Sequence, residues 1–298
     1  MIWLIGSKGQ LGSELGLQLS MAGLKWTGSD KDVDIRNYQA LKNFAAEMDE
    51  PPEWIINCAA FTNVEEAEEN EEMAFSLNVT GTSNIVKLCQ ETGAKLIHIS
   101  TDYVFDGLSS APYKEFESTG PLNVYGKTKA LSEAEVSNHL KEYYIIRTAW
   151  LYGFQGENFV YKMIRLMNAK DEIKVVDDQK GTPTSAVDLA FAIIKLIEAN
   201  GRNGGKSPSY GIYHYTDGGE CSWYDFAKEI YSLGKECGKI HSPCIINKCL
   251  SADFETKAKR PAYSVLNKDK ISIALNMELP DWRISLANFI FSDSFNLS

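Results

Sequence analysis

Tyr125 and Lys129 stand four residues apart in the run Tyr125-Gly126-Lys127-Thr128-Lys129. On a helix that spacing puts both side chains on one face. A free phenol has a pKa of about 10, too high for ready proton exchange near neutrality. An ammonium beside it favours the phenolate and brings it toward a working range. The chemistry implied is proton delivery to an oxygen, and a strand-like run ending Ser100-Thr101 supplies a hydroxyl to hold that oxygen as a carbonyl. A Tyr-x-x-x-Lys pair is common by chance and gains meaning only from its company.

That company is the run Gly6-Ser7-Lys8-Gly9-Gln10-Leu11-Gly12, placed after an apolar run and before an amphipathic one. Glycine lets the backbone turn sharply and approach a pyrophosphate, and the helix end beyond it favours phosphate charge. Gly6, Gly9, Gln10, Leu11 and Gly12 are therefore expected at a dinucleotide. Asp30 follows the second apolar run, where a carboxylate accepts from the adenosine ribose hydroxyls and favours NADH. Lys31 and Lys8 could instead counter a 2′-phosphate, so NADPH and NADH both stay open.

Those groups need a scaffold. Apolar runs at Ile2–Ile5, Leu24–Ser29, Trp54–Cys58, Lys95–Ser100 and Tyr143–Thr148 read as strands. Helices are expected between them at Gln10–Met21, Tyr38–Met48, Met73–Thr92 and Asn123–Leu140. The alternation predicts an α/β fold, a Rossmann-type doubly wound parallel sheet with helices on both faces. Beyond residue 150 the pattern loosens. Helices are expected at Asn158–Met167, Ala186–Asn200 and Trp223–Leu233, strands at Ile173–Val176 and Gly211–Tyr215, and a loop at Gly201–Tyr210. We expect residues 1–150 to form the dinucleotide-binding domain, with some of 172–215 returning to it. Residues 151–298 are then mainly a smaller, mixed substrate lobe.

Composition bounds the rest. The 298 residues are 44% apolar and 23% charged, which excludes disorder, collagen and coiled coil. Forty acids against 30 bases leave a net charge of −10, which disfavours nucleic acid and anionic membranes. A small dianion in a shielded cleft needs only local donors, such as the glycine-loop amides, Lys129 and Arg260. No basic leader and no run of 18 apolar residues occurs, and six cysteines are too few for a disulfide scaffold. The expectation is a cytoplasmic, reduced, soluble protein, monomer or homodimer.

With these motifs in this order, the chain resembles the extended short-chain dehydrogenase/reductase superfamily and, within it, the dTDP-4-dehydrorhamnose reductase family. The resemblance rests on Gly9–Gly12, Asn57–Thr62, Ser100–Gly107 (STDYVFDG), Pro121–Lys129 (PLNVYGKTK) and Arg147–Gly153. Asp178–Thr184, Tyr213-His214, Ser222-Trp223, Arg260-Pro261 and Ser264–Leu266 extend it to about residue 290. It implies a catalytic triad of Thr101, Tyr125 and Lys129. It implies cofactor contacts at Gly9, Gln10, Leu11, Asp30, Asp34, Ile35, Ala60, Phe61, Thr62, Tyr125 and Lys129, and sugar-nucleotide contacts at Thr101, Asp102 and Trp150. The implied reaction is reduction of the C4 ketone of dTDP-4-dehydro-L-rhamnose by NADPH or NADH. For some members the family also implies Mg2+ at a dimer interface, at the position Glu14 occupies. Cys58 stands where the family more often has alanine.

Two other functions compete. A nucleotide-sugar epimerase or dehydratase shares the motifs, but a dehydratase carries an acidic pair after the threonine, and here Tyr103 follows Asp102. A non-catalytic dinucleotide-binding regulatory subunit would not need Tyr125 and Lys129. Cys237, His241, Cys244 and Cys249 have an unusual spacing for zinc, so no metal ligand is assigned. His98 and His214, in buried-looking strands, read as structural. Glu65, Glu66, Glu68, Glu69, Glu71 and Glu72 read as a solvated first helical turn.

Overall fold

The computed structural model describes residues 1–201 and 207–297. In chain order the elements are β1 (Ile2–Ile5), α1 (Gln10–Met21), β2 (Trp26–Ser29), α2 (Tyr38–Ala46), β3 (Trp54–Asn57), α3 (Val64–Glu69), α4 (Glu71–Phe75), α5 (Gly81–Thr92), β4 (Lys95–Thr101), α6 (Val124–His139) and β5 (Tyr143–Thr148). There follow β6 (Leu151–Tyr152), α7 (Phe159–Ala169), β7 (Glu172–Val176), β8 (Lys180–Gly181), β9 (Thr184–Ser185), α8 (Ala186–Asn200), β10 (Gly211–His214), β11 (Cys221–Ser222), α9 (Trp223–Glu236), β12 (Ile245–Cys249), α10 (Asp269–Leu275) and α11 (Trp282–Phe291). Residues 202–206 of the expected loop lie outside the described residues.

β1 is apolar and buried at all four positions, as a strand covered on both faces must be. Ile2 and Leu4 pack with Leu11, Leu15 and Leu19 of α1 and with Leu189 and Ile193 of α8. Trp3 and Ile5 point the other way, to Leu41 of α2 and Ile85 and Leu88 of α5. One strand thus feeds two cores, because successive side chains leave opposite faces. The sheet runs β10-β5-β4-β3-β1-β2 and every pairing in it is parallel. The expected doubly wound parallel sheet is present. Its strand order reverses between β1 and β3, the switch point outside which ligands bind in such sheets.

A third core joins Val160, Ile164 and Met167 of α7, Phe226 and Ile230 of α9, and Leu286 and Phe289 of α11. It carries a separate parallel pair, β7 with β12. The helix expected at Met73–Thr92 is interrupted. It splits into α4, a π-helical turn at Ser76–Thr80, and α5. Wide turns of this kind gather at functional sites.

Candidate active site

The glycine loop leaves the carboxyl end of β1. Gly6 has φ +78°, and a Cβ there would lie 2.8 Å from the Ala59 amide nitrogen. A Cβ on Gly12 would lie 2.0 Å from the Gly6 carbonyl oxygen, so α1 can approach the turn this closely only without one. Gly9 caps α1 with no side-chain hydrogen bond, leaving the first-turn amides free of a side-chain acceptor. Leu11 is buried in the core beneath. Gln10 donates to the Glu157 carbonyl at 3.2 Å, and its buried Oε1 has no partner. The Asp30 carboxylate accepts from the backbone amides of Lys8 (3.0 Å) and Lys31 (2.9 Å), which ties the end of β2 to the loop.

Asp34 pairs with Arg36 at 2.8 Å, and this guanidinium holds its carboxyl below the usual range. Ile35 is buried, close under Gly81. Ala60, Phe61 and Thr62 follow β3, and the Phe61 amide donates to Asn78 Oδ1 at 2.7 Å. Asn78 Nδ2 donates in turn to the Phe61 carbonyl (3.2 Å) and to Thr128 Oγ1 (2.9 Å). This buried amide sits in the π turn and clamps the post-β3 loop to α6. Sequence reading missed it, although an asparagine inside an apolar helical pattern was a usable signal.

Tyr125 and Lys129 lie on α6, whose N-terminus is capped twice. Asn123 Oδ1 accepts from the Gly126 amide at 2.8 Å, and Glu68 of α3 accepts from the Val124 amide at 2.7 Å. Tyr125 packs edge-on against Tyr103, with centroids 5.7 Å apart. Burial pushes its phenol above the usual value, while an interaction with the Thr101 hydroxyl pulls the other way. Burial outweighs the lowering expected from Lys129. Lys129 Nζ donates to the Ile99 carbonyl (2.7 Å) and lies 3.2 Å from His98 Nε2, and desolvation dominates at Tyr125. Burial also brings Lys129 down to about 8, against the opposing fields of Glu133 and Cys58.

Thr101 and Asp102 close the end of β4. Thr101 Oγ1 donates to Asp102 Oδ1 at 2.9 Å and accepts from the Tyr103 amide at 3.2 Å. Asp102 Oδ2 is buried with no close hydrogen bond, and burial raises this carboxyl to about 6 against the opposing pull of the Ser264 and Thr101 hydroxyls. Beneath them Arg147 and Glu133 form an enclosed pair at 2.6 Å. Trp150 adopts φ +48°, rare for a non-glycine residue, and stacks on Trp223 with centroids 3.5 Å apart. Gly181 leaves room for its indole, because a Cβ there would lie 2.6 Å from the ring.

The acidic run is only partly a solvated first turn. Glu65 accepts from the Lys257 and Ala258 amides and from Arg260 Nη2 (2.9 Å), and Glu69 pairs with Lys257. The run therefore fastens the 257–260 segment over Tyr103, whose phenol interacts with Arg260. His214 is buried between the Tyr113 carbonyl and Arg147, and burial lowers it to about 3.

Two relations decide the family. The family model described as RmlD substrate binding domain matches residues 1–294. A dTDP-4-dehydrorhamnose reductase of Streptomyces griseus is 39% identical over 288 residues, 95% of this chain and 91% of that protein. The chain belongs to the dTDP-4-dehydrorhamnose reductase family. A solved dTDP-4-dehydrorhamnose reductase from Clostridium acetobutylicum superposes with a TM-score of 0.88 at 41% identity, over 97% of this chain and 98% of that one. One from Bacillus anthracis, solved in complex with NADP, gives a TM-score of 0.88 at 36% identity over 97% of each. The protein is thus an oxidoreductase of this family, and a nicotinamide dinucleotide fits its cradle, where the first-turn amides lack a side-chain acceptor and Gly6 and Gly12 admit no Cβ.

Magnesium does not fit as well. Glu14 Oε1 accepts from Gln18, and among the described residues no three carboxylate, imidazole or thiol groups converge on a metal-sized site. All six cysteines are free thiols, with Cys249 on β12 and Cys237 directed to the Gly234 carbonyl. Among the described residues no helix is long and apolar enough to cross a membrane.

Proposed function

We propose that this reductase converts the C4 ketone of dTDP-4-dehydro-L-rhamnose to the alcohol of dTDP-L-rhamnose, a precursor for cell-surface polysaccharide. The observation that carries the reading is the meeting of Tyr125 with the Thr101 hydroxyl at the carboxyl end of β4, and a glycine loop whose following helix has no side-chain cap supports it. When bound, the reduced nicotinamide supplies the hydride. Tyr125 gives its phenolic proton to the ketone oxygen as charge develops there. The Thr101 hydroxyl holds the same oxygen, which requires it to turn from Asp102 Oδ1. Lys129 binds the nicotinamide ribose and supports the phenolate left on Tyr125.

Gly6, Gly9, Gln10, Leu11 and Gly12 hold the pyrophosphate, with Ala60, Phe61 and Thr62 along the nicotinamide side. Asp30 takes the adenosine ribose, while Lys8 and Lys31 beside it could counter a 2′-phosphate, so NADPH and NADH both stay open. Asp102 and Trp150 contact the sugar nucleotide. Residues 1–150 form the dinucleotide-binding domain, joined by later segments, and the α7–α9–α11 core carries the sugar side.

The test is oxidation of NADPH or NADH by the purified protein with dTDP-4-dehydro-L-rhamnose, followed by loss of nicotinamide absorbance. Tyr125→Phe should lower kcat by about 10²–10⁴, the usual range for removing a general acid. Absence of turnover in wild type, or full turnover in Tyr125→Phe, would sink the reading.

A further inference from the structure

His98 is fully buried on β4, and its ring nitrogens meet three groups. Nδ1 lies 3.2 Å from Asn57 Nδ2, and Nε2 lies 3.0 Å from Ser132 Oγ and 3.2 Å from Lys129 Nζ. The protons can be placed by accounting for donors. Asn57 Oδ1 accepts from the Ala59 amide at 3.1 Å, so the amide group turned to His98 is the NH2, a donor. Nδ1 must then accept. Ser132 donates its single proton to the Lys129 carbonyl at 2.7 Å, so toward His98 its oxygen can only accept. Nε2 must then donate. Two separate constraints thus fix one tautomer, with the proton on Nε2. The same Nε2–H faces Lys129 Nζ.

An ammonium has no acceptor site, so a charged Lys129 meets Nε2–H donor to donor. A neutral amine satisfies the arrangement: it donates to the Ile99 carbonyl and shares the His98 Nε2–H with the nearer Ser132 oxygen as a bifurcated hydrogen bond. We propose that His98 is a positioning residue for the Tyr125–Lys129 pair, holding Lys129 in place through an Nε2–H that weakens its grip on its proton. The titratable groups that act on or touch the amine are Glu133 on α6, Cys58 after β3 and His98 on β4. Burial lowers Lys129, and Glu133 and Cys58 raise it. Burial and the neighbouring ammonium keep His98 itself neutral, so it acts through its fixed tautomer and not by titrating. This inference rests on the reductase reading only for its catalytic meaning: the alkaline limb of kcat/KM should follow Lys129.

The test needs neither substrate nor cofactor. Protein carrying 13C-labelled lysine is titrated by NMR, and the Lys129 signal is assigned by its loss in Lys129→Met. In wild type Lys129 should titrate near about 8. In His98→Gln the side-chain carbonyl can accept from the ammonium, and the titration should rise by about one pH unit or more. In Ser132→Ala the Nε2–H loses its other acceptor, and the titration should fall. A wild-type value near the ordinary lysine value of about 10.4 overturns the proposal. So does a folded His98→Gln that leaves Lys129 unmoved; if that variant does not fold, the direction of change in Ser132→Ala decides alone. A shifted Lys129 in a protein without turnover would refute the reductase reading and leave this one standing. An unmoved Lys129 in an active enzyme would do the reverse.

Discussion

Two glycines of the same loop should respond oppositely to the same substitution. At Gly12 an added Cβ meets the Gly6 carbonyl oxygen at 2.0 Å, its carbon at 2.8 Å and Ser7 Cα at 2.9 Å. Ordinary C···O approach is about 3.3 Å, so α1 must retreat from the turn by an ångström or more. All three obstacles are backbone and cannot rotate away. Overpacking costs about 1–3 kcal/mol where side chains yield, and Gly12→Ala should sit at or above that upper end. For a chain of this size that is a fall in Tm of roughly 5–10 °C. At Gly9 the only obstacle is the Gly6 oxygen at 3.4 Å, and φ −75° with ψ 175° suits any residue. The small loss of cap preference is offset by a gain of about 0.4–1 kcal/mol from a stiffer unfolded chain. Gly9→Ala should therefore keep its Tm within about 2 °C. Its methyl meets nothing but the Gly6 oxygen within 4 Å, and a phosphate oxygen bound at this loop must come within about 3 Å of the amides. Dinucleotide affinity should fall about 10- to 100-fold, read by titration of nicotinamide fluorescence beside a thermal melt. A Gly9→Ala protein that binds dinucleotide like wild type would mean that the loop is only a tight strand-to-helix turn. An unchanged Tm in Gly12→Ala would refute the packing on which the cradle depends.

Arg147→Met should cost about 3–5 kcal/mol in urea denaturation, because Glu133 is left charged in an enclosed site with Ser100 as its remaining side-chain donor. Adding Glu133→Leu should recover most of that, and a double variant as unstable as the single one would contradict the account. Asp102 titrates near about 6 in the folded chain against 3.8 for a free carboxyl. Between about pH 4 and 6 the native state therefore holds the extra proton, and this group's contribution to stability falls as pH rises through that window, by roughly 3 kcal/mol at most. Asp102→Asn should flatten that part of the curve, measured as the urea midpoint at acid and neutral pH; an unaltered slope would show that the carboxyl is not desolvated.

The parts of this fold that were readable from sequence are those that local pattern dictates. The four apolar residues of β1, the helical period of α1 and the glycines between them are consequences of chain geometry within a dozen residues. The resemblance named Thr101 and Tyr125 together, and in the fold their side chains interact. What escaped reading depends on partners far along the chain. Glu65 reads as a solvated helix-end carboxylate until the 257–260 segment arrives, 192 and 193 residues away at the amides it binds. Asn78 reads as one polar position in a long helix until the loop after β3 needs a clamp.

The proton affinities at the site escaped for the same reason, with more consequence. A four-residue spacing shows that Tyr125 and Lys129 share a helix face, and from there the expectation of a lowered phenol follows naturally. Yet the sign of each shift is set by what encloses the pair: β4 beneath Lys129, His98 fixed through Asn57 and Ser132, and Tyr103 against the phenol. A bare Tyr-x-x-x-Lys pair in water would be acidified by its lysine; the same pair walled in by strands is governed by desolvation until a ligand brings new charge and new acceptors. In this chain the motif therefore determines which groups meet, and the occupied cleft must determine when their protons move.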